Sequence, residues 1–319
     1  MNIINIMRYY SNIITSSFIR TKVIKYDTHT YSEYFKKERK YANSVVHTCD
    51  ATNEYIAKCI DSNKAFMVAR YGATELYTME VFDLKLDFKY RKTIDRLCNL
   101  SGFFPSDTFA VDKFKDCLID ASKEVDVIAI WNLYMEEHYI KKYMKNTYLT
   151  QLRFLEPWFS TVPWTRALKG KKVLVIHPFT DTIRKQYSRR EYLFDNSQIL
   201  PEFELYVLKA VQTIAGEKDD RFKDWFAALN WMYMEAMKID FDIALIGCGA
   251  YGMPLAAMLK KEGKQAIHMG GVLQILFGIK GSRWNDDPVV SKLYNEYWVY
   301  PNENETPEKA TSVEDGCYW

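Results

Sequence analysis

Between Asp242 and Gly271 the chain carries the pattern that most limits its fold. Ile243-Ala244-Leu245-Ile246 is a short apolar run of strand type, and Gly247-Cys248-Gly249-Ala250-Tyr251-Gly252 follows at once. Met253 to Lys261 then reads as a helix, Gly263 stops it, and Gln265-Ala266-Ile267-His268 begins a second strand that runs out into Gly270-Gly271. A strand, a glycine turn, a helix and a second strand make a βαβ unit, half of a nucleotide-binding sheet. Gly247, Gly249 and Gly252 allow backbone to approach a phosphate, and the next helix offers its unpaired N–H groups.

The dehydrogenase form of this unit needs an acid ~20 residues beyond the glycines to hold the ribose hydroxyls. Here the second strand ends in His268-Met269-Gly270-Gly271, with no acid. Three readings stay open. The turn binds NAD(P), the glycines serve only tight strand-to-helix packing, or a different phosphate-bearing ligand sits there. The residues favour the last.

Strand-like and helix-like segments alternate along the rest of the chain, which predicts an α/β protein. The expected fold is a mainly parallel, Rossmann-like sheet with helices on both faces. Asn43 to Asp61 is read as a helix and Ala65 to Ala69 as a strand leading into Arg70-Tyr71-Gly72-Ala73-Thr74-Glu75. Val125 to Trp131 and Lys172 to Ile176 are further strands, the second ending in His177-Pro178, and a basic helix is expected over Asp181 to Phe194. Residues 41–284 form the expected domain, with a sub-boundary at 157–170 where Pro157, Pro163 and Gly170 punctuate the chain. Residues 285–319 are expected to be an irregular tail, acidic from Asn302 to Asp315.

A length of 319 residues suffices for one large domain or two small ones. The net charge of +2 argues against a nucleic-acid binder. Six scattered cysteines make no C-x-x-C pair, so neither zinc nor a disulfide framework is indicated, and a reducing cytoplasm is the simpler setting. Residues 1–40 begin with a basic, partly apolar stretch in which Arg8, Arg20, Lys22 and Lys25 precede the first acid, Asp27. Asn2, Asn5, Arg8, Ser11 and Asn12 interrupt it, so it is neither a signal peptide nor a span, which needs ~20 apolar residues. A basic amphipathic segment resting on a membrane surface is one reading; a packed terminal helix or a frayed tail is the other.

In parallel sheets ligands bind beyond the carboxyl ends of the strands. That rule selects Arg70 to Glu75, Trp131, His177, Gly247 to Gly252, and His268 to Gly271. Arg70 offers a planar five-donor group suited to a diphosphate. Glu75, in the first turn of the next helix, could take a proton from a sugar hydroxyl, ligate a metal, or stabilise the helix start. His177 and His268 are candidates for phosphate binding or base chemistry, with a structural role as the alternative. No nucleophile elbow, P-loop or His-Glu-x-x-His motif is present.

Three segments together resemble the GT-D fold glycosyltransferases, a bacterial group that builds glycans on proteins and surface polysaccharides. Val68 to Glu75 is similar to that family's Arg-aromatic-Gly-Asp-Gly-Glu segment, and Lys172 to Pro178 to its central strand. Asp242 to Gly271 is similar to its strand, glycine turn, helix and second strand. The resemblance implies sugar transfer from a nucleotide-diphosphate donor to a glycan or lipid-linked acceptor. On the matching positions, Arg70, Tyr71, Gly72, His177, Gly247, Gly249, Gly252, Gly270 and Gly271 would bind the donor, and Glu75 and His268 would serve catalysis. Trp131 or Trp284 would stack on a sugar. The family's acidic pair, associated with Mn²⁺ or Mg²⁺, is reduced here to Glu75 of Ala73-Thr74-Glu75, and His268 replaces another acid. A hard cation prefers oxygen ligands, so the metal case is weakened. A non-catalytic nucleotide-sugar binder in the same pathway is the remaining alternative.

Overall fold

Residues short, apolar and buried on both sides can only be central strands. The computed structural model describes residues 7, 11, 37–217, 219–312 and 316–319, and builds one nine-stranded sheet from them. Its middle is β3 (Phe66–Ala69), β4 (Val127–Ile130), β6 (Lys172–His177), β8 (Ile243–Ile246) and β9 (Gln265–His268). Every residue of β3, β4, β8 and β9 is buried. The remaining strands are β1 (Arg39–Tyr41), β2 (Ser44–Val46), β5 (Tyr148–Gln151) and β7 (Glu204–Lys209). The order across the sheet is β1-β2-β5-β4-β3-β9-β8-β6-β7, and all pairings are parallel except β1 with β2. The sheet therefore runs unbroken past 157–170.

Alternate strand residues feed two cores. Met67 and Ala69 face one with Leu76 and Met79 of α2 (Ala73–Asp83), Phe114 of α4 (Thr108–Ser122) and Leu255 of α8 (Gly252–Lys261). Trp225 of α7 (Trp225–Met237) joins them, and α3 (Tyr90–Ser101) adds Ile94 and Leu97. Phe66 and Val68 face the other core with Ile56 and Ile60 of α1 (Cys49–Asp61), and with Ile183 of α6 (Thr180–Tyr187). Helices thus cover both faces of a mainly parallel sheet, as the alternation of segments predicted. No described helix is long and apolar enough to cross a membrane.

Several boundaries differ from those read in the sequence. The helix expected from Asn43 begins only at Cys49, because Ser44-Val45-Val46 is a β-branched strand and Thr48 caps the helix by accepting from Ala51 N–H. The helix expected over Asp181 to Phe194 spans Thr180–Tyr187 and is followed by a separate 3₁₀ turn at Arg190–Tyr192. Residues 285–319 do run as short 3₁₀ turns, but they pack inwards. Glu305 is buried and accepts from Asp181 N–H (2.8 Å) and Thr182 N–H (3.2 Å) at the first turn of α6. The expected amphipathic segment at 1–40 lies almost wholly outside the described residues.

Topology fixes where a ligand fits. The chain leaves β6 towards β7 and leaves β8 towards β9, in opposite directions along the sheet. The connections therefore part at the β6/β8 boundary and open a crevice at the carboxyl ends. His177 and Gly247 stand at that point.

Candidate functional site

A cavity of about 180 Å³ opens beyond the carboxyl ends of β3, β4, β6, β8 and β9. Parallel register brings their ends level: Val68 pairs with Ile267, Ile246 with His268, and Ile176 with Ile246. Arg70, Glu75, Trp131, His177, Gly247, Gly249, His268, Gly270 and Gly271 all line the cavity. Leu118, Val211 and Met253, from the first core, give one wall an apolar surface.

Arg70 leaves β3 and lays its guanidinium over the Trp131 indole, 4.9 Å from the ring centre. Trp131 is held in turn, since its indole N–H donates to the Tyr71 carbonyl at 3.0 Å. One face of the indole is thus taken by a guanidinium, while the residue still lines the cavity. Arg70 Nε is buried and has no hydrogen-bond partner among the described residues. Burial lowers the guanidinium's pKa, opposed by Tyr318 and Glu75, yet an arginine stays charged. Gly270 has a left-handed φ of 72°, and a Cβ there would stand 3.1 Å from Arg70 Nη1.

The two histidines are neutral. His177 Nδ1 accepts from Phe179 N–H at 3.0 Å, which leaves the proton on Nε2. Burial lowers its pKa to about 3. His268 is lowered to about 3 as well, first by burial and then by the charge of Arg70. The Arg70 backbone opposes this weakly as a hydrogen-bond partner of the ring, although no contact of good hydrogen-bond geometry reaches either ring nitrogen among the described residues. Both rings therefore add hydrogen-bonding capacity but no positive charge, and an imidazole this acidic is a weak general base.

The glycines of the turn divide by function. A Cβ on Gly247 would lie 2.7 Å from the His177 ring, and one on Gly252 would collide with the His268 ring. These two glycines make room for histidines, which realises the packing alternative at their positions. Gly252 itself is not on the cavity wall. Gly249 is different: its φ is 58°, it is exposed, and nothing lies within 4 Å of where a Cβ would be. It is the glycine whose backbone faces open space. Behind it Tyr251 stacks flat on Trp225, with centroids 4.7 Å apart, and this fixes the turn.

Gly72 caps α2 without a side chain, and the Glu75 carboxylate folds back over it so closely that a Cβ at 72 would collide with Oε2. Tyr71 turns into the core, where its buried hydroxyl shares a 2.7 Å hydrogen bond with Ser122. What Tyr71 brings to the cavity is backbone. Trp284, expected as a sugar platform, is buried behind the wall against Gly281 and Tyr318. Residues that no local signal marked stand in its place: Arg283, Tyr318 and Trp319. Fifty residues of chain separate Tyr318 from the end of β9, and only tertiary structure reveals that they meet.

Among the described residues Glu75 is the one carboxylate side chain on the cavity wall, and it acts electrostatically on Arg70. Among the described residues no three His, Cys, Asp or Glu side chains are grouped to hold a metal ion. The donors present do not fit the oxygen-rich set that Mn²⁺ or Mg²⁺ takes.

No family model and no curated protein matches the chain. Two solved structures are similar to it. One, a selenomethionine-substituted structure of domain of unknown function 1792, shares 14% identity over 78% of this chain and 90% of its own, at a TM-score of 0.39. The other shares 12% over 81% and 96%, also at 0.39, and is described as the same domain with a distinct glycosyltransferase fold. At such TM-scores the chemistry has to come from the site's own groups.

Proposed function

We propose that the protein is a glycosyltransferase that moves a sugar from a nucleoside diphosphate donor to a glycan or lipid-linked acceptor. The observation that carries this reading is the Arg70 guanidinium on the cavity wall, held over Trp131 and beside left-handed Gly270. A planar guanidinium fork on a cavity wall is suited to pair with a diphosphate. In this reading the diphosphate lies across Arg70 and the Gly249 turn, and the nucleoside lies along the apolar wall. His177 and His268 donate uncharged hydrogen bonds. Glu75 removes the proton from the acceptor hydroxyl as the bond from sugar to diphosphate breaks. Arginine charge stabilises the departing diphosphate in place of a resident metal ion. In a bacterial cell this would be a cytoplasmic step of surface polysaccharide assembly, where nucleotide-sugars are available, with peripheral membrane contact if the acceptor is lipid-linked.

A thermal-shift panel of UDP-, GDP-, CMP- and dTDP-sugars, with NAD(H) and NADP(H), tests the reading. Saturation at ~100 times the dissociation constant stabilises the fold by ~2.7 kcal/mol. A shift with one nucleotide-sugar class, lost in Arg70→Ala, is expected, and transfer by that donor should fail in Glu75→Gln. A shift with a nicotinamide cofactor alone would overturn the proposal. Binding without transfer to any of a broad set of acceptors would replace it with a non-catalytic sugar-nucleotide binder.

A further inference from the structure

One helix of the first core turns a basic face to solvent. α3 buries Thr93, Ile94 and Leu97, which leaves Arg91, Lys92, Asp95 and Arg96 exposed on its other side. The 3₁₀ turn before it, Asp87–Lys89, carries a large apolar side chain outwards. Leu86 is buried, and Tyr90 stacks on buried Phe82 with centroids 4.1 Å apart. Phe88, between them, is left 56% exposed. From Lys85 to Arg96 the chain holds five cations and two acids.

Other helices match their charges locally. Lys115 pairs with Asp112 at 2.8 Å, Lys123 with Asp120 at 2.7 Å, and Lys238 with Glu235 at 2.6 Å, each within one helical turn. Asp95 stands three residues after Lys92 and four after Arg91, in reach of both. Yet among the described residues none of Lys85, Arg91, Lys92 and Arg96 makes an ion pair. Arg96 only lies over the Tyr77 ring, 6.0 Å from its centre. Asp87 is occupied by its own turn, where its carboxylate accepts from Phe88 N–H at 3.0 Å.

Unpaired cations beside an exposed aromatic ring fit a lipid surface, where the charges stay at anionic headgroups and the ring enters the acyl boundary. A soluble polyanion would use the charges and leave the ring idle. Residues 1–36 carry five cations and two acids themselves, so like charge opposes their covering this face.

We propose that the face from Lys85 to Arg96 docks on an anionic bilayer, with Lys85, Arg91, Lys92 and Arg96 against the headgroups and Phe88 inserted beneath them. The same helix ends in Leu100 and Ser101 on the cavity wall. Docking therefore brings that wall within one helix length of the bilayer, where a lipid-linked acceptor would be presented. The docking needs no nucleotide and stands or falls apart from the donor reading.

Sedimentation of the full chain with vesicles of phosphatidylcholine, alone or mixed with phosphatidylglycerol, provides the test. Wild type is expected on the mixed vesicles only, and should be released by about 0.5 M salt. Each cation near an anionic surface contributes about fivefold to partition, so Arg91→Glu/Lys92→Glu should lower binding at least about twenty-fivefold. Phe88→Ser should lower it about tenfold while leaving retention on heparin unchanged. Lys169→Glu/Lys292→Glu makes the same change of net charge elsewhere and should stay within about threefold of wild type. All five residues are exposed, so the variants should fold. Wild type that stays off the mixed vesicles, or an equal effect of the two double variants, would overturn the proposal. So would Phe88→Ser binding vesicles as wild type does, which would make the face a site for soluble polyanions.

Discussion

Glu136, in the first turn of α5 (Glu136–Tyr143), is fully buried and holds the loop that carries Trp131. Its carboxyl accepts from Leu133 N–H at 3.1 Å, from Trp131 N–H at 3.4 Å and from the Tyr41 hydroxyl at 3.4 Å. Burial is the largest influence and raises its pKa from 4.5 to about 7, although these hydrogen bonds pull the other way. An unfolded glutamate loses its proton near pH 4.5, while the folded one keeps it to about pH 7. Between those values the native state binds the extra proton, so stability falls as pH rises. Each pH unit is worth ~1.36 kcal/mol, which makes the whole interval worth ~3 kcal/mol. Glu136→Gln keeps an acceptor for the loop and removes the titration. Urea unfolding of both proteins at pH 5, 6, 7 and 8 should show the variant gaining on wild type by ~2.5 kcal/mol across the series, with the change nearly complete by pH 8. A gap that stays constant to within ~0.5 kcal/mol would refute the argument, because it would mean that the ionised carboxylate is solvated in the native state.

Glu80, within α2, behaves alike: buried, with neither carboxyl oxygen partnered among the described residues, its pKa is raised by burial to about 8. Glu80→Leu should therefore stabilise the fold at pH 9 by at least ~2 kcal/mol relative to wild type, by thermal or urea unfolding. Arg70→Ala should weaken binding of the nucleotide donor by ~1.5–3 kcal/mol, roughly ten- to a hundredfold, and Arg70→Lys should recover only part of it because a lysine lacks the planar fork that lies over Trp131. Gly252→Ala, which drives a methyl into the His268 ring, should cost ~1–3 kcal/mol of stability, whereas Gly249→Ala meets only its left-handed φ and should cost ~1 kcal/mol. A chelator should leave both donor binding and transfer unchanged; loss of transfer that Mn²⁺ restores would show that Glu75 and the diphosphate together recruit a cation.

What could be read from sequence followed from how completely each segment is buried. Ile243 to Ile246 and Val127 to Ile130 are buried on both faces, so four apolar residues announce a strand without any partner being known. Tyr148-Leu149-Thr150-Gln151 escaped notice because its place beside β4 is set by pairing and its composition is half polar. The same contrast holds at the site. Arg70, His177 and His268 were legible because a residue at or just past a strand's end has one place to go, the carboxyl edge. The glycines were legible as glycines, but sequence could not say what approaches them. A phosphate, an imidazole and a phenol ring all require the same missing Cβ. Gly247 and Gly252 answer to His177 and His268, Gly271 to Tyr318, and of the glycines in the turn after β8 only Gly249 faces open space. A glycine-rich turn is thus several separate steric requirements written with one residue type. The nucleotide reading of this chain depends less on the count of glycines than on the arginines that surround the space they leave.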